Sequence, residues 1–146
     1  MREILFRGKR KDTGDWAYGF LYVTHNGEYE IGAYDPKTNI ERMTSVVDGE
    51  TVGQYTGLTD KNDTRIFEGD IVKLYDGTED LYEIRRECDT PGGYWAETGF
   101  ILKRIGWSGY IHFTDTIDDW ENECQVVVVG NIHDNPELLK ARENDA

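Results

Sequence analysis

"QYTGLTDKNDTRIFEGDIVKLY" (Gln54–Tyr75) crowds charged, apolar and glycine residues into one run. It could hold a metal, grip a nucleic acid or turn the chain between two strands. An EF-hand loop needs glycine at its sixth position and a bidentate glutamate at its twelfth. Counting from Asp60, the early oxygens of Asp60, Asn62 and Thr64 are present, but Arg65 and Ile71 occupy those two positions. Calcium does not fit. Lys61-Asn62-Asp63-Thr64 is turn chemistry between strand-like flanks, with Asn62 and Asp63 at its centre. A second punctuation, Glu68-Gly69-Asp70, precedes an apolar strand: Gly69 permits a positive φ and the Asp70 carboxylate can accept from backbone amides. Gly-Asp entries of this kind are frequent in small SH3-like barrels, so an SH3-like element and a structural Asp70 are expected.

The same two-residue period runs outward in both directions. In "WAYGFLYV" the rings Trp16, Tyr18, Phe20 and Tyr22 fall on one face. Asn26-Gly27 follows, the pair that favours a two-residue type I′ hairpin with positive φ at both residues. That turn sets Tyr22 opposite Ile31, Phe20 opposite Ala33 and Thr24 opposite Tyr29. Tyr34–Asn39 reads as a loop. Further strands are expected at Ile40–Met43, Thr51–Thr56, Asp70–Tyr75, Leu81–Arg86, Trp95–Leu102, Trp107–Phe113 and Cys124–Gly130. The β-branched run "QVVVV" predicts a strand covered on both faces, near the middle of the molecule. Asn135 as cap and Pro136 in the first turn predict a short helix over 136–142. "TIDDWENE" could add an acidic helical turn around Trp120. The chain therefore reads as all-β (mainly β), with two small subdomains (about 1–50 and 51–134) and a C-terminal helix.

With 146 residues and a mean hydropathy of −0.67, the core depends on nine Tyr, five Phe and four Trp, each able to bury roughly 150–250 Å². The net charge of −13 opposes phosphate backbones and makes nucleic acid an unfavoured partner. Cys88 and Cys124 are too few for a disulfide framework, which suits a reducing cytoplasm. No stretch approaches a membrane span, and the N-terminus lacks the apolar core of a signal peptide. No membrane association is expected.

Three blocks carry a family resemblance: "FRGKRKDTGDWAYGF", "TVGQYTGLTDKNDTRIFEGDIVK" and "VVVVGNIHDNPELL". Together they resemble the hallmark segments of the YopX family, proteins found largely in bacteriophages and prophages. Roughly Tyr75–Glu123 is the variable part. Asp63 stands where such proteins more often carry glycine after the asparagine. The resemblance implies a mostly β fold in the cytoplasm of a bacterial host, and no established biochemical activity.

Candidate chemistry is sparse. His25, His112 and His133 lie in separate segments, and neither cysteine has zinc spacing. No metal and no cofactor are expected. Ser45 and Ser108 lack a nucleophile-elbow pattern; Cys88, near Arg85 and Arg86, has only a neighbouring charge to recommend it. Trp16, Tyr18 and Tyr22 are the candidate interface, because a row of large rings on one face needs a cover, whether a partner or the second subdomain. The alternative is nucleic-acid binding, with Arg85, Arg86, Trp95, Lys103, Arg104 and Trp107 forming a basic groove with stacking rings. The expected function is that of a non-enzymatic accessory protein acting through protein contacts, with a host or phage factor or with further copies of itself. A hydrolase whose site is assembled only by the fold is the third reading.

Overall fold

The computed structural model describes residues 4–35, 40–74, 79–86, 99–106, 110–112 and 126–143. Its elements are β1 (Phe6–Lys9), β2 (Trp16–Val23), β3 (Tyr29–Asp35), β4 (Ile40–Val47), a 3-10 turn (Gly49–Thr51), β5 (Gly53–Thr59) and β6 (Arg65–Phe67). There follow β7 (Asp70–Leu74), β8 (Leu81–Arg86), β9 (Phe100–Arg104), β10 (Tyr110–His112), β11 (Val126–Asn131) and α1 (Glu137–Glu143). The strands form antiparallel sheets ordered β4-β3-β2-β1-β5-β6 and β10-β9-β8-β7-β11. The fold is all-β, with one short helix among the described residues. No helix among the described residues is long and apolar enough to cross a membrane. The expected acidic turn around Trp120 and the ends of several expected strands lie outside the described residues.

The chain divides into two compact units, Met1–Tyr55 and Thr56–Ala146, with the division inside β5. In the first unit, β1 pairs with β2 (Arg7 opposite Tyr18, Lys9 opposite Trp16) and with the start of β5. The short, basic β1 was not foreseen, because four residues with two cations carry little apolar signal. Val47, 1% exposed, and Ile31, 2% exposed, fill the interior on the face that carries Leu21. Gly8 makes room there, since a Cβ on it would lie 2.9 Å from a Val47 methyl. The end of β4 returns to the end of β1: Lys11 N donates to Val46 O at 3.0 Å, and Asp48 N to Lys9 O at 2.9 Å. An isolated Arg10–Val47 bridge joins them. The 3-10 turn is tied to β1 by Thr51, whose hydroxyl accepts from Lys9 N at 2.8 Å.

The β2–β3 hairpin forms one residue out of the expected register. Tyr22 lies opposite Glu30, Leu21 opposite Ile31 and Phe20 opposite Gly32. His25 joins Asn26 and Gly27 in a three-residue loop. Gly27 N donates to Thr24 O at 2.9 Å and Thr24 N to Glu28 O at 2.8 Å. Gly27 has φ 83°, while Asn26 does not take positive φ. That is a type I turn closed by one left-handed residue, not a type I′ turn. One residue of slip exchanges the two faces of a strand. Leu21 therefore joins Ile31 on the inner side, and the ring ladder points outward.

In the second unit β7 is a central strand, pairing with β8 and β11. The Gly69-Asp70 entry thus leads into an open sheet, and no closed barrel forms among the described residues. Gly69 has φ 92°. Asp70, 2% exposed, accepts from Phe67 N at 2.8 Å. The sheet is covered on both faces. One face packs Ile66, Val72, Leu74, Tyr82, Ile84, Phe100, Leu102 and Val126. On the other, Ile71, Leu81 and Ile105 receive Ile132 with Leu138 and Leu139 of α1. A fully buried side chain of this size contributes about 1.5–3 kcal/mol, so the two layers hold most of this unit's stability.

β11 corrects another expectation. The valine run lies at the sheet edge, not in the middle, and Val129 is exposed. A bulge between Val128 and Gly130 bends it. Its outer edge is sealed by the loop at 60–64: Lys61 N donates to Val126 O at 3.0 Å, and Val128 N to Asp60 Oδ2 at 2.9 Å. Covered edges resist pairing with other chains. Asn135 stands at the start of α1, its backbone O accepting from Leu138 N at 3.1 Å, while its side-chain Oδ1 reaches back to accept from Asn131 N at 3.1 Å. Pro136 immediately precedes α1.

Candidate functional site

The most distinctive surface is the outer face of β2. Its alternate residues share that face, and so do their cross-strand partners. Tyr18, Phe20 and Tyr22 are 48%, 44% and 38% exposed. Three half-exposed rings in one row make this face the candidate interaction surface. Two glycines shape the middle of the ladder. Gly32, opposite Phe20, presents no side chain beside the ring. Gly19 lets β2 and β3 approach so closely that a Cβ would fall 2.0 Å from Gly32 O.

The two ends of this face differ in charge. At the Trp16 end, the Arg7 guanidinium lies 4.5 Å and the Lys9 ammonium 5.5 Å from the Trp16 ring centroid, both within cation–π range. Arg7 is buried at 6% exposure. At the Tyr22 end stands Glu30, whose Oε1 accepts from the Thr44 hydroxyl at 3.5 Å. Of the expected interface, Tyr18 and Tyr22 stand on this exposed face and Trp16 is half-buried beneath the two cations. Arg7, Lys9 and Glu30 were not singled out from the sequence. The first two needed β1 to be read as a strand, and Glu30 needed the true hairpin register.

The basic residues of the alternative reading are engaged with carboxylates. Arg85 meets Glu83 at 3.0 Å, Arg86 meets Glu68 at 3.2 Å and Arg104 meets Asp80 at 3.0 Å. Lys103, opposite Glu83, donates to Arg104 O at 3.0 Å. Burial pulls its ammonium below the usual lysine range, aided by Arg85 and opposed by Glu83. A phosphate arriving here would compete with carboxylates already in place. Trp95 and Trp107 lie outside the described residues, as do Cys88 and Ser108.

Asp60 is a heavily used carboxylate, and its work is structural. At 8% exposure its Oδ1 accepts from Asn62 N and Thr64 N, both at 2.8 Å, and its Oδ2 from Val128 N. An acceptor two residues before an asparagine at a turn was its signal in the sequence. No group of three or more His, Cys, Asp or Glu suited to a metal occurs among the described residues.

Comparison with known proteins agrees with the three sequence blocks. The model of the YopX protein family matches residues 5–140. No curated protein matches. Among solved structures, the chain is similar to protein EF1440 from Enterococcus faecalis, with 22% identity and a TM-score of 0.49 over 95% of this chain and 99% of that one. Because the family match spans nearly the whole chain, from β1 into the first turn of α1, the chain belongs to the YopX family.

Proposed function

We propose that this protein is a non-enzymatic accessory protein of a phage or prophage, acting in the host cytoplasm through protein contacts made by the outer face of β2. The observation that carries the reading is the exposure of Tyr18, Phe20 and Tyr22 in one row. Aromatic residues are the side chains that most enrich protein interfaces. Nucleic acid is the weaker partner. The net charge is −13 and the candidate arginines are held by carboxylates.

Affinity capture from a bacterial host lysate tests this with the wild-type chain beside Tyr18→Ser/Tyr22→Ser. A captured protein that the variant loses, at an unchanged urea midpoint, is the expected result. Equal capture by both would remove the face from the function.

A further inference from the structure

We infer that the occupant of the β2 face is a second copy of this chain, docked by a two-fold axis that sets the Trp16 end of one ladder against the Tyr22 end of the other. This rests on the proposal that the face makes protein contacts, and adds to it the identity and orientation of the partner.

The polarity of the face is the reason. Lys9 stands at one end and Glu30 at the other, on the same side of the sheet. From Trp16 to Tyr22 is six residues, roughly 20 Å at about 3.3 Å per residue. A surface with opposite charges at its two ends complements itself when turned by a two-fold axis through its middle. Lys9 of each copy then meets Glu30 of the partner, and the rings of Tyr18 and Phe20 stack about the axis near Gly19. The unit bearing the face opposes this little. It holds seven basic and nine acidic residues, a net of −2, while the remaining −11 belongs to residues after Tyr55.

A single-stranded nucleic acid fits less well. Arg7 is buried against Trp16, and Glu30 closes the far end with the wrong sign. The size of the surface sets the strength. Three rings at 38–48% exposure offer roughly 200–350 Å² if each spans about 150–250 Å², against about 800 Å² per partner in a standard interface. The dimer is therefore a weak one, with dissociation in the micromolar range.

Sedimentation velocity on the full chain from about 5 to 200 µM, a span suited to such affinity, tests the association. A rising dimer fraction is expected. A monomer throughout would overturn the inference while leaving capture of another protein by the same face intact. Charge exchange tests the orientation. Lys9→Glu alone and Glu30→Lys alone should each weaken the dimer about tenfold, and mixing the two variants should restore it, because both cross-pairs are then opposite in sign. Failure of the mixture to recover would overturn the two-fold arrangement even if the wild type dimerises. If a reversal unfolds the chain, Lys9→Gln and Glu30→Gln serve: the double variant should cost no more than either single one, and additive losses would count against the pair. A saturable shift with oligo-dT at low salt, in place of dimerisation, would reassign the face to nucleic acid.

Discussion

Asp63 occupies, in its own loop, the position that Gly27 occupies in the β2–β3 hairpin. Gly27 N donates to Thr24 O at 2.9 Å, and Asp63 N to Asp60 O at 3.0 Å. Thr24 N donates to Glu28 O and Asp60 N to Thr64 O, each at 2.8 Å. The Thr24 hydroxyl accepts from Glu28 N as the Asp60 carboxylate does from Thr64 N. The left-handed residue has φ 83° in one loop and 65° in the other. One is glycine, and the other pays for its Cβ.

Replacing Asp63 by glycine should therefore raise stability by up to about 1 kcal/mol, since glycine adopts that conformation without a Cβ clash. The urea midpoint should rise at an unchanged slope. A lower midpoint would show that the Asp63 side chain contributes more than its backbone strain costs.

The converse change, Gly27→Val, should cost about 1 kcal/mol or more, because a β-branched residue resists positive φ. A Cβ at Gly27 meets nothing within 4 Å, so the cost is conformational and not steric. Gly27→Asn should consequently lose much less, as asparagine tolerates the left-handed region. Equal losses for Val and Asn would contradict this account.

Gly19→Ala should be far more damaging. Its Cβ would overlap Gly32 O, a backbone atom with no rotamer to escape into. The expected loss is roughly 3 kcal/mol, at the upper end of overpacking costs. Amide exchange should quicken along β3. A small loss with unchanged exchange would mean that the two strands can separate locally at no great expense.

Asp60→Ala strands three amides, those of Asn62, Thr64 and Val128. Asn62 and Thr64 are exposed, so water takes over their amides, and the loss should be about 1–3 kcal/mol, the cost of leaving the half-buried Val128 donor unsatisfied. Amide exchange at Val128 should accelerate with that at Thr64, although the two are far apart in sequence. Protection kept at Val128 would show that another acceptor seals the β11 edge.

Lys103 links stability to pH. Its folded pKa lies below the ordinary lysine range because burial disfavours the ammonium. The folded state then binds fewer protons than the unfolded state between the lowered and the ordinary value. Stability should rise with pH through that window, and the penalty should be complete below it. Lys103→Gln should flatten this alkaline rise. A rise of the same size in the variant would assign it to another group.

The sequence alone determined the strand character of most segments, the places of the turns and the final helix. Each is a local property: side-chain alternation, the backbone freedom of glycine and asparagine, and a proline in the first turn act within a few residues. Even the family blocks are runs of contiguous residues. The outer placement of the ring ladder was not legible in the same way. Whether His25 counts as loop or strand changes the register by one, and both registers satisfy the local pattern of "WAYGFLYV" and "YEIGAY". Burial of Ile31, on the same face as Leu21 and Val47, selects one of them. That choice turns Tyr18, Phe20 and Tyr22 to the outside. The edge position of β11 was likewise hidden, because a run of valines reports that it is apolar and not what lies beside it. Its neighbour is the loop holding Asp60, 68 residues away in the chain. Long-range pairing decided which side of each strand meets water, and with it where the candidate site lies.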